Sequence, residues 1–140
     1  MTRPRVVLAE DHAPMAQRLR ALLEPSCDVL EIVEDGSALI AAVATLQPDA
    51  IVSDIAMPGM SGLAAARIIL AEQPSARIVF VTIRDEPSVV RAALQCGALG
   101  YVLKNDAGDE LPNAVLTVAA GQQYVSINAR AALEGPGHAK

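Results

Sequence analysis

Five residues able to do chemistry are scattered along this sequence: Glu10, Asp11, Asp54, Thr82 and Lys104. Brought together, they would set three carboxylates beside a hydroxyl and an ammonium. Carboxylates that close repel, and each raises the pKa of its neighbours. A hard divalent cation relieves that repulsion, and Mg²⁺ suits a few carboxylates supplemented by water and phosphate oxygens. A carboxylate is also a nucleophile toward phosphorus. The set therefore predicts phosphoryl transfer onto Asp54, with the metal held by Glu10, Asp11 and Asp54. Lys104 would pair with one phosphoryl oxygen and Thr82 would hydrogen-bond to another. Such transfer needs positioning and electrostatics more than further covalent chemistry.

Taken singly, none of these residues says much. Glu10 and Asp11 alone read as a solvated pair opening a loop, and Asp54 as a helix cap. Thr82 alone is a strand-end hydroxyl, and Lys104 a surface lysine. His12 reads as a surface or cap residue, although a histidine beside acids can tune them near neutral pH. Met57 and Met60 read as loop packing. Their chemistry depends on whether the fold gathers the set.

The periodicity predicts that it does. Short apolar runs alternate with helical patterns. Strands are expected at Val6–Ala9, Val29–Val33, Ala50–Asp54, Ile78–Thr82 and Tyr101–Lys104. Pro14, Pro25, Pro48, Pro74 and Pro87 punctuate the helices between them. The last helix is expected to start late, with Asp109 as its cap and Pro112 in its first turn. Five strand–helix pairs with short links imply an α/β fold: a doubly wound, five-stranded parallel sheet with helices on both faces. Such sheets bind ligands beyond the carboxyl ends of their strands. Glu10, Asp11, Asp54, Thr82 and Lys104 all fall at those ends.

Composition narrows the function. The chain has 140 residues, a formal net charge of −5 and 2% aromatics, with no Trp. One domain with an aliphatic core is expected. An acidic chain with no Lys/Arg cluster is not expected to bind nucleic acid by itself. Cys27 and Cys96 lack metal or redox spacing and are expected to be buried apolar residues. No run reads as a signal peptide or a membrane span, so a cytoplasmic setting without membrane contact is expected. The stretch 133–140 reads as a linker or frayed end.

The ordered set resembles the response-regulator receiver domain of two-component signalling. The matching pieces are Glu10-Asp11, Asp54 with Met57-Pro58-Gly59-Met60-Ser61-Gly62, Thr82, and Gly100-Tyr101-Val102-Leu103-Lys104. The resemblance covers roughly residues 4 to 122. It implies a flavodoxin-like fold with strand order 2-1-3-4-5, a sensor histidine kinase as phosphodonor, and Mg²⁺ with the Ala56 backbone carbonyl as a further ligand. It also implies that Thr82 and Tyr101 form a switch pair acting on the face of helix four, strand five and helix five. The pieces Gly100–Ala107 and Ala119–Val125 resemble the NarL/FixJ subfamily. Its members usually carry a C-terminal helix-turn-helix domain. The chain is therefore read as a receiver over residues 1–125. Residues 126–140 are read as a linker or tail toward an output domain absent from this chain. DNA would be bound only through that domain, and a homodimer is expected on phosphorylation.

Two departures stand out. Ile83 is bulky where the family often has a smaller residue, and it is read as narrowing access to Asp54. Arg84 and Ala56 stand where the family tunes dephosphorylation. Three other readings compete with this one. An aspartate-nucleophile phosphohydrolase would need a second acid two residues after Asp54, where this chain has Ala56. A stand-alone or degenerate receiver acting as an interaction module would not need the full acid, Thr and Lys set. A flavin-binding relative lacks its phosphate-cradling loop after strand one.

Overall fold

The computed structural model describes residues 3–138. Six strands and six helices alternate along them: β1 (Arg5–Ala9), α1 (Ala13–Leu23), β2 (Asp28–Val33), α2 (Gly36–Leu46), β3 (Ala50–Ser53), α3 (Gly62–Glu72), β4 (Ile78–Thr82), α4 (Pro87–Gln95), β5 (Gly100–Leu103), α5 (Ala107–Ala119), β6 (Tyr124–Val125) and α6 (Ile127–His138). All strand pairs are parallel, in the order β2-β1-β3-β4-β5-β6. Between their ends the central strands are apolar, because both of their faces are covered. Val6 to Ala9, Ala50 to Val52 and Ile78 to Val81 are all buried. On one face Val7, Ile51, Phe80 and Tyr101 pack against side chains of α2, α3 and α4. On the other, Val6, Leu8, Val52 and Val81 pack against Leu19 and Leu23 of α1 and Leu111 and Val115 of α5.

The expected order 2-1-3-4-5 is present, but the sheet has a sixth strand rather than five. Gly121 takes a left-handed turn (φ 87°) after α5. Tyr124 and Val125 then lie along β5, opposite Gly100 and Tyr101. A tyrosine and a valine suit that position, but two residues are too few for a periodic signal. The stretch after residue 125, expected as linker or tail, continues as α6 from Ile127 to His138. Its Gly and Pro content masks a short apolar face: Ala129 is fully buried and Leu133 packs on the core.

Local capping follows the sequence. Asp35 accepts from the Ala38 N–H at 2.8 Å and Ser61 from the Ala64 N–H at 3.1 Å, starting α2 and α3. His12 is the N-cap of α1, as expected of a cap residue, with its Nδ1 3.4 Å from the Met15 nitrogen. The late start expected for α5 does not occur. That helix begins at Ala107 after Asp106, so Asp109 lies in its first turn and Pro112 inside it. A proline there leaves one intrahelical bond unmade, yet the buried face of Leu111, Ala114, Val115 and Val118 keeps the helix in place. Cys27 is buried as expected, whereas Cys96 is only half-buried.

One packing constraint sits directly under the site. A Cβ on Gly62 would lie 1.8 Å from the backbone oxygen of Asp54 and 2.7 Å from the Ser53 hydroxyl. The Gly62 N–H also donates to the Ile55 carbonyl at 2.8 Å. The start of α3 is thus pressed against the end of β3, and only glycine allows it. Gly62→Ala is expected to lower stability by about 3 kcal/mol or more, read as a urea midpoint. A midpoint unchanged from wild type would contradict this close approach.

Candidate functional site

The carboxyl ends of β1, β3, β4 and β5 meet at one rim. Glu10 and Asp11 follow β1, Asp54 follows β3, Thr82 ends β4 and Lys104 follows β5. Asp54 and Lys104 therefore stand one residue past strands that were expected to include them. Backbone bonds carry the ladder on to each. The Glu10 N–H donates to Val33 O (2.9 Å), that of Asp54 to Ala9 O (3.0 Å), and that of Lys104 to Thr82 O (2.9 Å). The rim residues are thus held by the sheet rather than by loose loops.

Glu10, Asp11 and Asp54 each offer a carboxylate oxygen within 4.8 Å of the other two. Glu10 is buried, Asp54 is 9% exposed and Asp11 is open to solvent. The Lys104 ammonium reaches between the two buried acids, 2.9 Å from Asp54 Oδ2 and 2.8 Å from Glu10 Oε1. The bond to Asp54 is a hydrogen bond, while Glu10 Oε1 has close contact without hydrogen-bond geometry. Burial works against the charged amine, but the close carboxylates of Glu10 and Asp54 outweigh it. The lysine is held above its ordinary pKa.

The remaining oxygens are also engaged. Asp54 Oδ1 accepts from the Ile55 N–H at 2.7 Å and lies 3.4 Å from the Ala56 nitrogen. Glu10 Oε2 accepts from the His12 N–H at 3.2 Å. Ser53, which sequence reasoning missed, donates its buried hydroxyl to the Asp54 carbonyl at 2.7 Å. A serine ending an otherwise apolar buried strand was the available signal. Ala56 is exposed at the rim two residues beyond Asp54.

Thr82 and Tyr101 converge on a third residue. The Thr82 hydroxyl oxygen accepts from the Arg84 N–H at 3.2 Å, and the Tyr101 hydroxyl donates to the Arg84 carbonyl at 2.6 Å. Tyr101 is fully buried, since β6 covers the side of β5 that would otherwise be a sheet edge. Burial, and then the charge of Glu86, push its phenol above the ordinary tyrosine range. Outside this pair the Arg84 guanidinium meets Glu86 at 2.9 Å on the surface. Ile83 is 75% exposed, so its side chain points largely into solvent.

The family model described as the response regulator receiver domain matches residues 6–116. The chain belongs to that family. This receiver is 34% identical over 122 residues to "Transcriptional regulatory protein DegU" of Brevibacillus brevis, covering 86% of this chain and 52% of that protein. It is 35% identical over 124 residues to "Probable transcriptional regulatory protein NarL" of Mycobacterium tuberculosis, covering 87% and 57%. The chain thus spans between half and three-fifths of the length of these curated relatives. Among solved structures it resembles a LuxR-family two-component response regulator from an Aurantimonas species. The TM-score is 0.90 at 28% identity, covering 94% of this chain and 96% of that one. These likenesses place the receiver in the NarL/FixJ-like subfamily, as its C-terminal motifs implied. No helix among the described residues is long and apolar enough to cross a membrane.

Two outcomes follow from the geometry. Lys104→Ala leaves Glu10 buried beside Asp54 with no compensating charge, and a loss of about 3 kcal/mol is expected. Urea unfolding without divalent cation reads it, and wild-type stability would mean that the ion pairs are inconsequential. The raised Tyr101 pKa makes a pH-dependent contribution. It is fully present below the unfolded-state value of about 10 and is lost as pH rises above that. Tyr101→Phe lacks this term, so its midpoint should fall less steeply between pH 9 and pH 11, by about 1 kcal/mol at the upper end. Parallel slopes would show that the phenol ionises as readily in the fold as out of it.

Proposed function

We propose that this receiver accepts a phosphoryl group on Asp54 from the phosphohistidine of a sensor kinase, and that the modified site controls an output. The observation that carries this reading is the contact of one ammonium, that of Lys104, with both Asp54 and the buried Glu10. Asp54 Oδ1 is engaged by backbone N–H groups, which fix the carboxylate's orientation. A carboxylate oxygen of Asp54 attacks phosphorus, the P–N bond of the donor breaks with its electron pair going to the imidazole nitrogen, and the imidazole leaves after taking a proton from water. Lys104 then pairs with a phosphoryl oxygen, and Thr82 turns its hydroxyl from the Arg84 N–H to donate to another.

The acid cluster fits a hard divalent cation. Three carboxylates face a single ammonium, and the only cationic contact of the buried Glu10 Oε1 among the described residues is the one it shares with Asp54, the Lys104 ammonium at 2.8 Å. Glu10, Asp11, Asp54 and the Ala56 backbone carbonyl would hold Mg²⁺, as carboxylate-rich sites with open positions do. When bound, the ion supplies neutralisation of charge on the phosphoryl oxygens.

The switch follows from the shared hold on Arg84. Once Thr82 turns toward phosphate, the Arg84 N–H loses its acceptor, and the Tyr101 hydroxyl bonded to the neighbouring carbonyl is freed to move with that loop. This biases the α4-β5-α5 face, because phosphate interacts differently with the two arrangements. The names of the relatives support transcription as the output, through a C-terminal helix-turn-helix domain outside this chain. Residues 1–125 would be the receiver unit and 126–140 would lead toward that domain. Dimerisation on phosphorylation and a cytoplasmic setting belong to the same reading. A phosphohydrolase is disfavoured, because Ala56 offers no acid or base beside Asp54.

The test is intact-protein mass spectrometry after incubation with acetyl phosphate, with and without Mg²⁺. A single Mg²⁺-dependent phosphoryl adduct is expected on wild type, and none on Asp54→Asn. An adduct that persists in the variant would move the acceptor elsewhere, and no adduct on either would favour an interaction module.

A further inference from the structure

The α4–β5 part of the face read as the partner surface is covered by the chain itself. β6 runs along β5, and α6 packs on α4 and β5. Ser126 and Ala129 are fully buried beneath it.

The first backbone donors of α6 go to two carboxylates, one at the N-cap of α5 and one in its first turn. Glu110 accepts from the Ile127 N–H at 3.2 Å and from the Tyr124 hydroxyl at 2.7 Å. Asp106 accepts from the Asn128 N–H at 3.1 Å through Oδ2, and from the Asn128 side-chain amide at 2.6 Å through Oδ1. Asp106 occupies the N-cap position of α5 yet makes no side-chain bond to it. A buried carboxylate at a helix start ordinarily caps that helix. Here both of its oxygens serve another helix. The two acids also meet the positive end of the α6 dipole.

The same segment is tied to the site. The Leu103 N–H donates to the Ser126 hydroxyl at 3.1 Å, and the Ser126 N–H donates to Tyr101 O at 2.9 Å. The Asp106 N–H donates to Leu103 O at 2.8 Å. Leu103 and Asp106 therefore bracket Lys104, whose ammonium spans Glu10 and Asp54. The hold on α6 and the reach of the lysine share one turn of chain.

We infer that α6 responds to the switch: it is an occupant of the α4–β5 face that Asp106 and Asn128 latch while Asp54 is unmodified and that phosphorylation releases. The latch stands on its own geometry, and its trigger rests on the proposed phosphorylation of Asp54. With α6 docked, the turn sets Lys104 at contact with a bare carboxylate. A phosphoryl group carries its charged oxygens farther out than the carboxylate oxygen it modifies, so the lysine head must withdraw, and the turn that carries it is the one that Leu103 and Asp106 tie to α6. The docked arrangement thus favours the unmodified acid, and this difference is what a population shift requires.

Hydrogen exchange on the whole chain tests both parts, with phosphorylation followed by intact mass in the same samples. Without phosphate, Asp106→Ala should exchange the Ile127–Arg130 amides about tenfold faster, with β1 and β3 unchanged. Asn128→Ala alters an exposed residue and should act in the same direction, so it decides the matter if Asp106→Ala also loosens β1 and β3. Wild-type exchange over Ile127–Arg130 in Asn128→Ala and in a folded Asp106→Ala would overturn the latch. In wild type carrying a phosphoryl group by mass, the same amides should speed up, and unchanged exchange there would overturn the coupling. A chain that takes up no phosphoryl group removes the proposed trigger, and the two variants then decide the latch alone.

Discussion

Everything at the rim depends on one buried electrostatic contact, the Lys104 ammonium held between Glu10 and Asp54. Two carboxylates at the end of an apolar parallel sheet would be costly to keep charged side by side. A single cation from the neighbouring part of the sheet offsets that cost, and burial makes the contact stronger than it would be in water. The arrangement requires β1, β3 and β5 to end level with one another. The parallel register and the backbone bonds that extend it past the strands provide this. Apolar strands set the level, and the charges above depend on it.

Much of this was legible in the sequence. Period and punctuation by proline placed five strands and their helices, because the core strands are continuous apolar runs flanked by residues with strong turn chemistry. The candidate residues were legible for a related reason. Polar side chains at the ends of otherwise apolar strands have few structural uses, and Glu10, Asp54, Thr82 and Lys104 occur at just such ends. The resemblance to receivers added what strand ends alone could not: the roles of Tyr101 and the Ala56 carbonyl.

What escaped the sequence was tertiary. A two-residue strand such as Tyr124–Val125 has no period, and its existence depends on the open side of β5. Helix α6 was hidden by its Gly and Pro content. The start of α5 was misread because Asp109 is a good cap by type, whereas the carboxylate that matters is Asp106, and that one bonds to a different helix. Ser53 was passed over because a hydroxyl bonded to the next residue's carbonyl leaves no spacing signature. In each case the deciding partner lies far along the chain or on the backbone.

The sixth strand has a consequence for association. A parallel sheet left open at β5 would present backbone N–H and C=O groups to any other extended chain, a template for edge-to-edge aggregation. Tyr124 and Val125 close that side with a strand too short to serve as a template in turn. The opposite edge, β2, carries Asp28 and Glu31 among its exposed residues, which discourages pairing there by charge. Both sheet edges are thus guarded against extension by another chain, one by a short covering strand and the other by charge.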